Sequence, residues 1–117
     1  MSIPTTDLLD ALLEDAAVTL GRLAGGAAVC TFSRAGVPVP GIKYAEGRWA
    51  ALREVQRATS RGAALETASA TDLVTWGAQL ESAVARAAGR DWVAYRTGGV
   101  DALGLLIEST ATAPPTA

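Results

Sequence analysis

The chain has no histidine and only one cysteine, one methionine and one phenylalanine in its 117 residues. Without histidine it lacks the commonest transition-metal ligand and the usual general base near neutral pH. A lone cysteine, Cys30, excludes an internal disulfide. With no histidine to activate its thiol, Cys30 reads as a small buried hydrophobe and not as a nucleophile. Also missing is any uninterrupted apolar run of the roughly 18–20 residues that a membrane span needs. The first apolar stretch is broken by Asp10, Glu14 and Asp15, and the residues before it are acidic, unlike a secretory signal. A soluble, cytoplasmic protein is the resulting expectation.

Catalytic patterns are equally scarce. Gly21-x-x-x-Gly25-Gly26 and Gly98-Gly99 lack the full phosphate-loop spacing, and no Lys-Ser/Thr follows either. Asp7, Asp10, Glu14 and Asp15 suit the N-terminal half of a helix, where the dipole favours negative charge. With no second cluster at ligand spacing they read as a solvated surface. Glu46 and Glu54 fall two turns apart on a charged outer face. No catalytic residue, metal ligand, cofactor or cofactor-binding residue is therefore assigned, and an enzyme is not expected.

What the chain does contain is a repeat. Ile42–Val55 reads IKYAEGRWAALREV and Val93–Leu106 reads VAYRTGGVDALGLL. Superposed, they match Ile42 with Val93, Tyr44 with Tyr95, Gly47 with Gly98, Ala51 with Ala102, Leu52 with Leu103 and Val55 with Leu106. The chain has just two tyrosines, and they occupy equivalent places. Upstream, Thr6-Asp7-Leu8-Leu9 and Thr71-Asp72-Leu73-Val74 each resemble a capped helix start. The pattern implies one all-α domain over residues 1–109, built of two helical hairpins (about 6–60 and 71–109) in a four-helix bundle-like arrangement. At half apolar residues it can bury a core unaided, and the Thr/Ala/Pro tail 110–117 is expected to be disordered.

Within that frame the first helix is expected from Asp7 to about Leu23, capped by Thr6. Its stripe is Leu8, Leu9, Leu12, Leu13, Ala16, Ala17 and Leu20. Residues 27–39 form the least helical segment. Val29, Thr31 and Phe32 favour extended backbone and Ala35-Gly36 a turn, while Pro38 and Pro40 forbid a central strand. A short extended or β arm interrupting the repeat is expected, and it is one place to look for partner specificity. The second helix follows Pro40, and Ser60–Ala70 reads as a polar linker. The third helix runs from Asp72, capped by Thr71, to about Ala88, with Gly89 as its stop. Trp49 and Trp76 lie on apolar stripes and read as core; Trp92, at an element boundary, reads as a partly exposed interface anchor.

Residues 91–109 fit two periods. With period two, Trp92–Thr97 and Val100–Ile107 make a hairpin turning at Gly98-Gly99. With helical period, Val93, Tyr95, Val100, Leu103, Leu106 and Ile107 make a core face. Kinship with the second helix favours the helix. The hairpin alternative yields an α+β winged-helix order, α-β-α-α-β-β, with a different function attached.

Two functions are compatible with these residues. The first is a small non-enzymatic interaction, oligomerisation or assembly module whose partner is itself or another protein. Its candidate interface is the small-residue face Tyr44, Gly47, Ala51 with Tyr95, Gly98, Ala102, which packs on its repeat mate or on another subunit, together with Trp92. The second is a winged-helix DNA-binding regulator, with Lys43, Arg53, Arg57 and Arg61 as a basic face for phosphates. The twelve-residue span Ser60–Thr71 is long for a helix-turn-helix, and the would-be recognition helix is poor in basic residues. Nucleic acid is therefore the less favoured partner, and no membrane is expected.

Overall fold

The structure is a computed structural model that describes residues 5–25 and 30–111. It is all-α, with one short β arm. In order the elements are α1 (Thr5–Gly25), β1 (Cys30–Phe32), β2 (Pro38–Pro40), α2 (Gly41–Ser60), α3 (Leu65–Ala85) and α4 (Arg90–Ala111). The helices pack as two hairpins joined face to face. α2 and α4 form the central pair, α1 lies against α2, and α3 lies against α4. Segment 91–109 is helical throughout. The winged-helix order is therefore not the fold.

The hairpin reading of that segment fails because Gly98 and Gly99 serve close approach, not a turn. A Cβ on Gly47 would stand 1.8 Å from the Tyr95 carbonyl oxygen, and one on Gly98 would stand 2.1 Å from the Tyr44 carbonyl oxygen. The contact is reciprocal: each repeat's glycine receives the backbone of the other repeat's tyrosine. That closeness brings each glycine Cα within weak C–H···O range of the facing carbonyl. Beyond the crossing the matched pairs Ala51 and Ala102, Leu52 and Leu103, Val55 and Leu106 are all buried in one core. Leu9, Leu13 and Ala16 of α1 and Trp76 of α3 close it from the two sides. Gly99 makes room for Trp76, whose ring edge would lie 2.2 Å from an added Cβ.

The β arm shows how proline sets register. Cys30 pairs with Pro40, Thr31 with Val39 and Phe32 with Pro38 in antiparallel fashion. Next to them the Ser33 N–H donates to the Val37 carbonyl at 3.0 Å. Hydrogen-bonded and non-bonded pairs alternate along such a ladder. Pro38 and Pro40 therefore both occupy non-bonded positions, where a missing N–H costs nothing. Val39 and Ser33 are buried, whereas Phe32 and Val37 face solvent.

Several boundaries differ from expectation. α3 begins at Leu65, seven residues before the expected start, so the link from α2 is only residues 61–64. The apolar period in fact continues backward through Ala68 and Leu65. Ser69 is accommodated because its hydroxyl donates to the Leu65 carbonyl at 2.7 Å. Thr71 is thus an internal helical residue, not a cap. Thr6 likewise lies within α1. α4 continues to Ala111, so Thr110 and Ala111 belong to the helix, and the expected tail from 112 onward lies outside the described residues. The Cys30 side chain is also outside them. Trp49 is only partly buried, and lines a surface groove.

Helix α3 ends before the expected Gly89. Arg86 is its cap, and Ala87 takes a left-handed φ of 53°. The Ala88 N–H donates to the Ala83 carbonyl and the Ala87 N–H to the Val84 carbonyl, which is a Schellman closure. The same closure ends α2, with Gly62 in the left-handed position at φ 100°.

Candidate interaction surface

Six of the seven candidate interface residues meet inside the chain. Gly47, Ala51, Gly98 and Ala102 are buried at the α2–α4 crossing. Tyr44 and Tyr95 are half-buried beside it. The two small-residue faces pack on each other. Trp92 is different: it lies in the first turn of α4 and is 60 % exposed.

The local structure holds Trp92 in place. Its N–H donates to the Gly89 carbonyl at 3.0 Å, where α4 begins. Its ring stands edge-on to Tyr95, with centroids 6.2 Å apart. Tyr95 in turn leans on the buried Trp76 at 5.3 Å, and the Trp76 indole N–H donates to Glu54 at 2.9 Å. Arg96, one turn after Trp92, spreads its guanidinium over Trp76 at 4.8 Å and over Tyr95 at 5.2 Å. Cation–π stacking of this kind contributes roughly 0.5–2 kcal/mol. The exposed indole is therefore the end of an aromatic stack rooted in the core.

Trp92 separates two clefts. One, of about 420 Å³, lies between the end of α3 and the start of α4 and is lined by Gln79, Ser82, Ala83, Arg86, Ala88, Trp92 and Arg96. The other, of about 400 Å³, is lined by Lys43, Glu46, Asp91, Trp92, Tyr95 and Arg96. A third groove, of about 480 Å³, continues past Glu46 and Tyr95 to Ile42, Trp49, Ala50, Leu20 and Ala24. Together they form a belt around one end of the molecule. Comparison with protein-family models, characterised proteins and solved structures returns no match for this chain.

The candidate basic face is unevenly available. Arg57 and Arg61 are exposed. Lys43 pairs with Glu46 at 3.2 Å, and Arg53 is half-buried, hydrogen-bonded to Gln56 and stacked over Trp49. The β arm, the other candidate for specificity, is fastened to α4. Asp101 accepts from the Arg34 N–H at 2.8 Å and from the Tyr44 hydroxyl at 2.6 Å. The Arg34 guanidinium reaches the Glu108 carboxylate at 2.6 and 2.7 Å. Burial, followed by the hydrogen bond to Asp101, raises the Tyr44 pKa well above the ordinary tyrosine value.

Sequence reasoning missed Asp101, Arg86 and Arg96. Asp101 shows its role only through partners 57 and 67 residues away, which no local pattern carries. Arg96 had a signal, since Trp92 and Arg96 stand at i, i+4 and share a helix face. Asp72 also surprises. Desolvation, and then the nearby Glu54 charge, raise its pKa, and one of its oxygens is buried with no hydrogen bond.

Proposed function

We propose that this chain is a small protein-interaction module without catalytic activity, and that its docking surface is the Trp92 end of the bundle. The observation that supports this reading is an exposed tryptophan, edge-on to Tyr95, that stands between two clefts. Interface hot spots are enriched in Trp, Tyr and Arg, seated where clefts allow full desolvation. A rigid aromatic also loses little conformational freedom on binding. Trp92, Tyr95, Arg86 and Arg96 supply that composition in one place. No helix among the described residues is long and apolar enough to cross a membrane, and the proposed setting is the cytoplasm.

The test is site-specific photo-crosslinking from position 92 in the full chain, with Phe32 as an exposed control site, joined to native mass in the host lysate. The reading expects a discrete crosslinked species from position 92 and a native mass that falls in Trp92→Ala. Equal, diffuse crosslinking from both sites and an unchanged mass would refute it. Because Trp92 is mostly exposed, Trp92→Ala should remain folded, losing about 1 kcal/mol of edge-on aromatic contact with Tyr95.

A further inference from the structure

The cleft between α3 and α4 has an unbalanced lining. It holds Arg86 and Arg96 beside Trp92, and no carboxylate. Neither arginine is in an ion pair among the described residues. Arg96 also borders the neighbouring cleft with Glu46 and Asp91, and a partner that brings negative charge together with some apolar surface suits the Arg86 side of this lining.

The chain itself carries such a surface. Asp7, Asp10 and Glu14 stand at i, i+3 and i+7 on α1, and so share one face of the helix. All three are exposed, and none is in an ion pair among the described residues. Asp15, one step round the helix, is instead held by Arg48 at 3.5 Å. Val18 continues the acidic ridge as an exposed apolar residue.

Ridge and cleft cannot meet within one chain. The end of α1 nearest the Trp92 belt is its C-terminal end, where Leu20 and Ala24 line the groove beside Tyr95. Asp7 lies about 20 Å further along the helix at 1.5 Å per residue. The ridge rides on α1 against α2, whereas the cleft lies on the opposite flank, between α3 and α4. Complementary surfaces on different flanks of one subunit give a head-to-tail contact, which builds rings or filaments.

We infer that the Arg86–Trp92–Arg96 cleft receives the acidic ridge of α1 from a second copy of this chain. The inference rests on the Trp92 surface proposed above and names its occupant. The contact is electrostatic at its rim, so it weakens with salt. It is also directional: each subunit gives one ridge and receives one ridge.

Light scattering and sedimentation of the full chain at low and high salt test this. The wild-type mass should rise with concentration in low salt and fall several-fold toward one chain in high salt. Reversing the ridge (Asp7→Lys, Asp10→Lys, Glu14→Lys) or the cleft (Arg86→Glu, Arg96→Glu) should each give monomers. Mixing the two variants should restore assembly, because the reversed ridge then fits the reversed cleft. The ridge residues are solvent-exposed, so that variant folds even if the loss of Arg96 stacking unfolds the other; a cooperative melt only a few degrees below wild type, the shift expected from placing positive charge at the start of α1, confirms it. Wild type that stays monomeric, or that assembles equally well with a reversed ridge, overturns the inference. In the first case, a discrete crosslinked partner of different mass from position 92 would leave the Trp92 reading intact. Loss of that crosslink as well would remove both.

Discussion

Replacing Gly47 with alanine should destabilise the fold even though alanine is the better helix former. A carbon in contact with a carbonyl oxygen normally stands about 3.3–3.6 Å away. An alanine Cβ at position 47 would lie 1.8 Å from the Tyr95 oxygen. Since the obstacle is backbone, no rotamer change relieves it, and the two helices must part by about 1.5 Å. A gap of 0.5–1 Å already forfeits a quarter to a half of a dispersion contact, and the residues that lose contact are the buried pairs below the crossing. Overpacking typically costs about 1–3 kcal/mol, and a backbone obstacle belongs at the upper end. Against this stands about 1 kcal/mol of helix propensity regained. A net loss of about 2 kcal/mol follows, or roughly 8 °C in Tm for a chain of this size. Gly98→Ala should behave alike. The double variant should cost less than the sum, because one separation relieves both collisions. Gly77→Ala is the control: nothing lies within 4 Å of its added Cβ, so it should gain about 0.5–1 kcal/mol. Urea unfolding followed by circular dichroism reads all four. A Gly47→Ala midpoint at or above wild type, with Gly77→Ala behaving as stated, would refute the close crossing.

Three further outcomes follow from local geometry. Ala87→Gly should stabilise by about 1 kcal/mol, because it removes the left-handed strain of a side chain and copies Gly62 in the matching closure; the urea midpoint measures it. Tyr44 ionises near 10 when unfolded and higher when folded, so its contribution is complete below pH 10 and is lost as the pH rises further; alkaline unfolding should be less steep in Tyr44→Phe, with tyrosinate absorbance as the direct readout. Asp72→Asn should raise Tm at neutral pH, because it removes a carboxylate whose charged form is disfavoured by burial and by Glu54. That gain should shrink toward zero as the pH falls past the ordinary aspartate value of 3.8, well below which residue 72 is neutral in folded and unfolded chains alike.

The repeat was legible because packing of two like helices writes the same spacing twice. Tyr44-x-x-Gly47 and Tyr95-x-x-Gly98 recur since each glycine must admit the other's backbone. Gly98-Gly99 was ambiguous for a physical reason: glycine serves turns and close helix contacts equally well, and only the facing atoms distinguish them. The start of α3 was hidden by Thr71-Asp72, which imitates a cap, while the real start at Leu65 has Ala64 before it and no side-chain cap. Ala87 gave no sign of its conformation, since alanine is not the residue such a position selects. In the surface belt, Trp92 stood out by its place at an element boundary. Arg86 joined it only through the meeting of α3 with α4, and the Arg34–Asp101–Tyr44 fastening depended on contacts far apart in the chain.

A contact that treats its two halves alike does not distinguish a neighbour in the same chain from one in another. The first hairpin of one molecule and the second hairpin of another present the same tyrosines and glycines to each other, so exchanging hairpins would preserve the whole crossing. What favours the closed form is the tether. Residues 61–64 alone separate the end of α2 from the start of α3, and a link that short holds the matching face at an effective concentration on the order of millimolar. Four residues thus act as a valence setting. Shortening them below what the turn can span would leave every core contact available only between molecules, and so drive partner exchange.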